Sequence, residues 1–358
     1  MTTGVNSHGA PSSTGARARQ KEAGDFVGLR MAFRSRSCFV RVPGSERMTA
    51  APRPKLSVIL AAYNCADFVE RSIRSALDQQ GLSIEIVAVN DCSSDGTLAV
   101  LQAIAREEPR LRVIDSRKNL GPSGARNLAF DHAAGEWGAV LDADDALQPG
   151  ALGPLVQIAE EREADIVAGS IRFFSHRRQE ISGAVFREDA PITALGLKDF
   201  VEAARPQNRE PDYGLLKPLF RIGFLRERAL RYRTDIRHGE DFHFIVDALG
   251  AGARYILARE ILSYIYTTRE SGLSRTRVDY SRMIAETEKL ARQAPYSEDP
   301  MVAKALTRRA EALRMHELNV LYGDATGLPS KLKVLARSLT SSAGQRWLKT
   351  KIAKRVVH

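Results

Sequence analysis

The 358-residue sequence contains only three cysteines, Cys38, Cys65 and Cys92. Their odd number and wide spacing offer neither a disulfide framework nor a zinc-ligand set, and a reducing compartment suits them. Long hydrophobic runs are missing too. The longest mainly apolar stretches, such as Leu56–Ala62 and Ile84–Val89, are strand-length and fall short of the roughly 18–20 residues that a membrane-crossing helix needs. No G-x-G-x-x-G spacing and no P-loop lysine occurs where a strand runs into a helix, which argues against a dinucleotide-dependent dehydrogenase and an ATPase. What is present is a 44% hydrophobic content, enough for one large core or two modest ones, which excludes disorder throughout.

The net charge of +10 is unevenly spread. Residues 1–47 carry eight Lys/Arg against three Asp/Glu, and residues 331–358 carry eight Lys/Arg and no acid, so the middle is slightly acidic. A nucleic-acid-binding enzyme carries its positive charge on the folded body, so no nucleic-acid partner is expected; basic ends fit an anionic membrane surface better. Within the last segment Leu348, Ile352 and Val356 recur at helical spacing, with Trp347 beside them and Lys349, Lys351, Lys354 and Arg355 as flanking charges. That pattern predicts a basic amphipathic helix on the inner face of the plasma membrane. The competing reading is a solvated terminal helix packed on the core.

Residues 1–47 are rich in Gly, Ser, Ala and Arg without lasting apolar periodicity, and are expected to be disordered. Their acid-poor composition also resembles an organelle transit peptide. A third reading, the preferred one, starts translation at Met48, which leads straight into the first strand. From Lys55 onward strands and helices alternate. Strands are predicted at Leu56–Ala62, Ile84–Val89, Leu111–Ile114, Trp137–Leu141 and Ile166–Phe174, with helices over Ala66–Gln79, Thr97–Ala105, Gly124–Ala134 and Leu152–Glu163. Continuous rather than half-polar strands predict an α/β fold with a mostly parallel, Rossmann-like sheet covered by helices on both faces, its ligands at the carboxyl ends of the strands. Beyond Ser175 the alternation fades into a helix over His238–Leu249, a strand over Tyr255–Tyr266 and a pair of amphipathic helices within Tyr280–Leu321.

The polar motifs fall at the strand ends. Asp142-Ala143-Asp144-Asp145 follows a buried strand, where alternate carboxylates can converge on one hard cation bridging two phosphates; alone, such a short acidic run is as often a solvated turn. Asp91 ends another strand and can accept the imide N–H of a base, whereas Ser93, Ser94 and Asp95 look like helix caps. Tyr63 ends the first strand, either to stack on a nucleobase or to plug the sheet edge. In the loop Arg117–Asn127, helix N-terminal N–H groups and Arg126 can attract phosphate.

Taken in order, Ala62-Tyr63-Asn64, Asn90-Asp91 to Thr97, Asn119 to Asn127 and Leu141 to Asp145 resemble the inverting family 2 glycosyltransferases of the GT-A fold, most nearly those of succinoglycan-type exopolysaccharide synthesis. The resemblance is dense over Leu56–Phe174. It implies a metal-dependent hexosyltransferase using Mg2+ or Mn2+, a nucleotide-diphosphate sugar donor with a UDP-sugar foremost, and an acceptor hydroxyl on a glycan or a polyprenyl-diphosphate-linked oligosaccharide. It assigns Tyr63, Asp91, Asn119, Arg126 and Asp142 to the donor, and Asp142, Asp144 and Asp145 to the metal. In the family's acceptor half an Glu-Asp pair supplies the base, which falls here on Asp241 with Glu240 as runner-up; a capped, dipole-favoured helix start is the bland alternative. Lys217, within Leu216–Arg221, and Arg269, within Arg269–Ser274, match its acceptor or phosphate contacts. The implied division is 55–175 for the nucleotide-sugar half, 176–275 for the acceptor half and 276–358 for a helical extension. Two departures matter: Ala61-Ala62 stands where many members have Pro and a small β-branched residue, and the Q-x-x-R-W motif of processive synthases is absent, which points to single addition.

Two other classes compete. A catalytically inactive nucleotide-sugar-binding module would keep Asp91 and the acidic run but lose the base, and Gly239-Glu240-Asp241 is intact. A nucleotidyltransferase opens with a Gly-rich loop after its first strand, and here that position reads Ala61-Ala62-Tyr63-Asn64. Because no core-forming pattern precedes Leu56, a chain beginning at Met48 is expected to match the full chain in unfolding midpoint and turnover. A lower midpoint would show that residues 1–47 contribute to the fold.

Overall fold

The computed structural model describes residues 53–186, 191–206, 211–268 and 278–356, with side chains up to residue 351. Residues 1–47, with Cys38, lie outside the described residues, and so does Arg269 with its loop to Ser274. Strand β1 (Leu56–Ala62) is buried along nearly its whole length and pairs in parallel with β2 (Ile84–Asn90) on one side and β4 (Trp137–Asp142) on the other. β3 (Leu111–Asp115) extends the sheet beyond β2. Strands covered on both faces need apolar side chains at successive positions, which is why these runs are continuous.

The helices between them are α1 (Ala66–Leu77), α2 (Thr97–Glu107) and α3 (Gly121–His132). The chain steps outward from β1 to β3 and then returns to β4 on the far side of β1. Right-handed crossovers therefore set α1 and α2 on one face and α3 on the other. The reversal between β1 and β4 opens a crevice at their carboxyl ends.

After β4 come the short β5 (Ala146–Leu147), α4 (Leu152–Glu161), β6 (Ile166–Ser175) and β7 (Glu180–Ile181). Then follow β8 (Ile192–Leu195), α5 (Leu197–Ala203), β9 (Leu219–Arg221), α6 (Ile222–Glu227), α7 (Glu240–Gly250) and β10 (Tyr255–Thr268). The order across the 10-stranded sheet is β3-β2-β1-β4-β9-β6-β10-β5, with β7 on β6 and β8 on β10. β9 runs antiparallel between β4 and β6, and β10 is parallel to β6. Strands from the expected donor half (β1–β6) and from the expected acceptor half (β7–β10) thus share one mostly parallel sheet. The sequence pattern does not foresee β9, whose few residues are too short for periodicity.

One tie fixes the acidic turn after β4. The Tyr264 hydroxyl accepts the Asp142 N–H at 3.1 Å and donates to an Asp145 carboxylate oxygen at 2.9 Å. The other Asp145 oxygen accepts the Thr267 N–H at 2.7 Å. From α1, Ser72 Oγ lies 2.8 Å and 2.6 Å from the carbonyls of Ala143 and Asp145, and Arg71 donates to the Asp144 carbonyl. The turn is therefore clamped between α1 and β10.

The extension is α8 (Tyr280–Arg292), α9 (Pro300–Asp324), α10 (Gly327–Ser338) and α11 (Ser342–Val356). Asp279 caps α8 and Asp299 caps α9 through backbone N–H groups. Buried Arg309 of α9 anchors the extension: it donates to the Ala204 carbonyl at 3.2 Å and to Thr287 Oγ1 at 2.8 Å, and lies 3.6 Å over the Phe242 ring of α7. Trp347 of α11, grouped in the sequence with the lipid-facing residues, is buried instead; its indole N–H donates to Asn319 of α9 at 2.9 Å. Cys65 and Cys92 are free thiols.

Burial, with Asp142 and Asp144 alongside, pushes the Asp145 carboxyl up to about 8, so at neutral pH it is largely protonated, and a neutral amide keeps the acceptor to the Thr267 N–H while giving up only the oxygen that faces the Tyr264 hydroxyl. Asp145→Ala, which strands the Thr267 N–H and the Tyr264 hydroxyl, is expected to cost about 2–4 kcal/mol. Asp145→Asn should cost far less. Urea unfolding midpoints of both variants are the check, and an equal loss would overturn this account of the turn.

Candidate active site

The crevice is built from the ends of the first strands. Tyr63 follows β1 and is 53% exposed, so its ring is open to a ligand and does not plug the sheet edge. Beneath it the loop is braced: Asn64, in the left-handed region at φ +46°, accepts the Ser94 N–H at 2.9 Å. Asp95 accepts the Thr97 N–H at 3.0 Å and the Ala66 N–H at 3.2 Å, joining the starts of α2 and α1. Ser93, Ser94 and Asp95 are structural, as their sequence suggests.

Asp91, at the end of β2, is buried, and a carboxylate oxygen accepts the Leu120 N–H at 2.6 Å. Burial pushes its carboxyl up against the pull of the Leu120 and Gly121 N–H groups. Asn119 donates to the Asp91 carbonyl at 3.2 Å. The pair thereby holds the start of α3 against the strand end, which is a positioning contact in addition to any made with a base.

The centre of the site is an alternating set of charges. Arg126, one helical turn into α3 and 5% exposed, donates to Asp142 at 2.6 Å and to Glu240 at 3.0 Å, with Asp241 at 3.5 Å. Lys217 donates to the second Asp142 oxygen at 2.9 Å and to Asp241 at 2.7 Å. Gly239, at φ +81°, supplies the left-handed turn that starts α7 with Glu240 and Asp241 facing this cluster. Burial would raise the Asp142 and Asp241 carboxyls, but Lys217 and Arg126 outweigh it and hold both below the usual carboxylate range. Burial would likewise lower Arg126 and Lys217, and the surrounding carboxylates instead hold both well above their ordinary values. Asp142, Asp241, Arg126 and Lys217 thus keep one another ionised, and removing one partner from such a buried pair costs about 3–5 kcal/mol.

Aromatic rings wall this cluster. Arg126 lies 5.3 Å over the Tyr232 ring and Lys217 5.9 Å over that of Tyr266. Burial, with the Asp241 carboxylate nearby, pushes the Tyr232 hydroxyl well above its ordinary value. The backbone of Tyr232 is gripped by Asn127, which donates to the Tyr232 carbonyl at 2.8 Å and accepts its N–H at 2.9 Å. Tyr232, Tyr264, Tyr266 and Thr267 are not among the residues singled out from the sequence. The available signal was Tyr264 and Tyr266 two apart on one strand, hence on one face.

The acidic run divides. Asp142 is engaged by two cations; Asp145, grouped in the sequence with the metal ligands, faces inward and spends both oxygens on Tyr264 and Thr267. Asp144 is half-buried at the crevice. Among the described residues no three His, Cys, Asp or Glu side chains form a metal-binding group. Asp144 together with the phosphates of a bound nucleotide does fit Mg2+, which is characteristically held by one or two carboxylates plus substrate phosphates.

Comparison with known proteins shows the family and the fold. The family model described as Glycosyl transferase family 2 matches residues 57–213. The chain is 36% identical over 263 residues to the succinoglycan biosynthesis protein ExoO of Rhizobium meliloti (strain 1021), covering 73% of this chain and 74% of that one. It is 33% identical over 269 residues to the succinoglycan biosynthesis protein ExoU of the same organism, covering 74% and 76%. Among solved structures, S. aureus TarS 1-349 in complex with UDP-GlcNAc superposes with a TM-score of 0.60 at 21% identity, over 78% of this chain and 79% of that one, which carries the fold. With its GT-A sheet, its motifs at the strand ends and relatives in exopolysaccharide biosynthesis, the chain belongs to glycosyl transferase family 2.

Proposed function

We propose that this glycosyltransferase is an inverting, divalent-metal-dependent hexosyltransferase, moving a sugar from a UDP-type donor to a hydroxyl of a glycan or polyprenyl-diphosphate-linked acceptor. The observation that carries the reading is the shared cation pair: Arg126 and Lys217 each touch both Asp142, on the donor side, and Asp241, on the acceptor side. Tyr63 stacks on the base and Asp91 reads its edge. Asp144 would hold Mg2+ or Mn2+, which would supply positive charge for the departing diphosphate. Asp241 takes the proton from the acceptor hydroxyl as that oxygen attacks the anomeric carbon from the face opposite the leaving nucleoside diphosphate. Lys217 and Arg126 orient the carboxylate and keep it ionised, and such general-base action supplies roughly 10²–10⁴-fold.

The enzyme works at the cytoplasmic side of the plasma membrane as a peripheral protein. Supporting this are the acid-free basic segment 331–358 and relatives in the synthesis of an extracellular polymer. No described helix is long and apolar enough to cross a membrane.

The acidic groups are separable by substitution. Asp144→Ala should lose transfer and metal-dependent nucleotide binding together. Asp241→Asn should bind nucleoside diphosphate and metal near wild-type strength while transfer falls by roughly 10²-fold or more. Calorimetric titration beside a transfer assay distinguishes them, with EDTA expected to abolish turnover and Mg2+ or Mn2+ to restore it. If Glu240→Gln is inactive while Asp241→Asn works, the base is Glu240; if both keep full activity, it lies elsewhere.

The cation pair generates a pH prediction. Because Lys217 helps hold the Asp241 carboxyl below its ordinary value, the acid limb of the transfer profile should lie below the usual carboxylate range. Lys217→Met removes that positive charge and should move the acid limb to higher pH. An unmoved limb would mean that Lys217 does not govern the base.

A further inference from the structure

The helix α10 is amphipathic in the wrong sense for a packed element. Leu328, Leu332, Leu335 and Leu339 recur along Gly327–Leu339 at spacings of four, three and four residues, which stacks them on one face of a helix. Such a stripe ordinarily turns inward. Here Leu328, Leu332 and Leu339 are 71%, 53% and 58% exposed, and Leu335 is half-buried. Only Ser338 of α10 is fully buried. The side that turns inward carries Val334, Leu335 and Ser338, and at its margin Arg337 pairs with Glu317 of α9 at 2.9 Å.

This basic segment makes the stripe specific for one occupant. Lys333 is exposed and Lys331, 5.6 Å over the Tyr322 ring of α9, lies at the margin of the stripe, and no acid occurs from residue 331 to the end. A second copy docked on the same face would set one acid-free basic segment against another. Lipid with anionic headgroups satisfies both features at once: the leucines enter the acyl boundary and the lysines meet the headgroups. α11 is less suited to that contact, because its Trp347 is spent on Asn319 and Tyr322 of α9.

We infer that the outward leucine face of α10 is the surface by which this enzyme sits on anionic lipid, with Leu328, Leu332 and Leu339 inserted and Lys331 and Lys333 at headgroup level. The inference rests on the peripheral-membrane reading above and assigns the contact to a particular helix. It also orients the molecule, since α10 docks on α9, the helix whose Arg309 stacks on α7, which bears Asp241. The lipid-facing helix and the base are thus linked through one helical frame.

The test is co-sedimentation of the full chain with vesicles of phosphatidylglycerol and phosphatidylcholine, and of phosphatidylcholine alone. The wild type should bind the anionic vesicles and release at high salt. The triple variant Leu328→Gln, Leu332→Gln, Leu339→Gln should bind at least about tenfold more weakly. Its circular dichroism and nucleoside-diphosphate affinity should stay unchanged, because those side chains contribute little to the packed core. Lys331→Glu with Lys333→Glu should weaken binding to the anionic vesicles alone. If the wild type binds no anionic vesicle, the peripheral reading itself fails. If it binds and the leucine variant binds equally, the membrane reading stands and the α10 assignment is overturned. A wild-type dimer that becomes a monomer in the leucine variant without change in vesicle binding would identify a second copy as the occupant, which also overturns it.

Discussion

Arg126 is the centre of the buried ion-pair cluster on which the crevice depends. It is almost wholly buried, and its guanidinium fork reaches carboxylates contributed by the end of β4 and the start of α7. A buried cation of this kind is tolerable only because anions surround it, and each anion is held ionised only because the cation is there. Lys217 closes the arrangement from the segment before β9. The two sides of the crevice are thus joined by electrostatics as well as by the sheet, and neither can move without leaving a charge unpaired.

Around that centre the protein uses ordinary contacts to remove freedom. Tyr264 and Thr267 of β10, with Ser72 and Arg71 of α1, lock the turn that carries Asp142 and Asp144. Asn127 grips Tyr232, which covers Arg126. Asp91 holds the start of α3. Carboxylates of the same type therefore do different work: Asp145 is buried and neutralised, Asp142 is ion-paired, and Asp144 stands at the crevice. Their neighbours decide the role.

The C-terminal helices show the same division between packing and exposure. α9 is tied into the catalytic body by Arg309, and α11 is tied to α9 by Trp347. α10, between them, keeps its leucines outside. An apolar face left in water is a standing cost unless something covers it. The acid-free charge beside it defines what that cover is.

By itself the sequence determined the sheet-forming half closely. Continuous apolar runs gave β1 with its observed limits and β2, β3, β4 and β6 to within a residue at either end. The order of motifs at their ends located Tyr63, Asp91 and the acidic turn, because a strand end and the polar residue after it are adjacent in the chain. Tertiary structure decided what depends on distant neighbours. Lys217 and Asp241 meet Asp142 only because β9 inserts beside β4 and α7 starts at Gly239. Asp145 turns inward only because Tyr264 and Thr267, far along the chain, receive it. Periodicity states that a helix has an apolar face, as in α10, but not which way that face points; that is settled by how the helix sits beside α9, with Arg337 paired to Glu317 and Leu328, Leu332 and Leu339 left exposed.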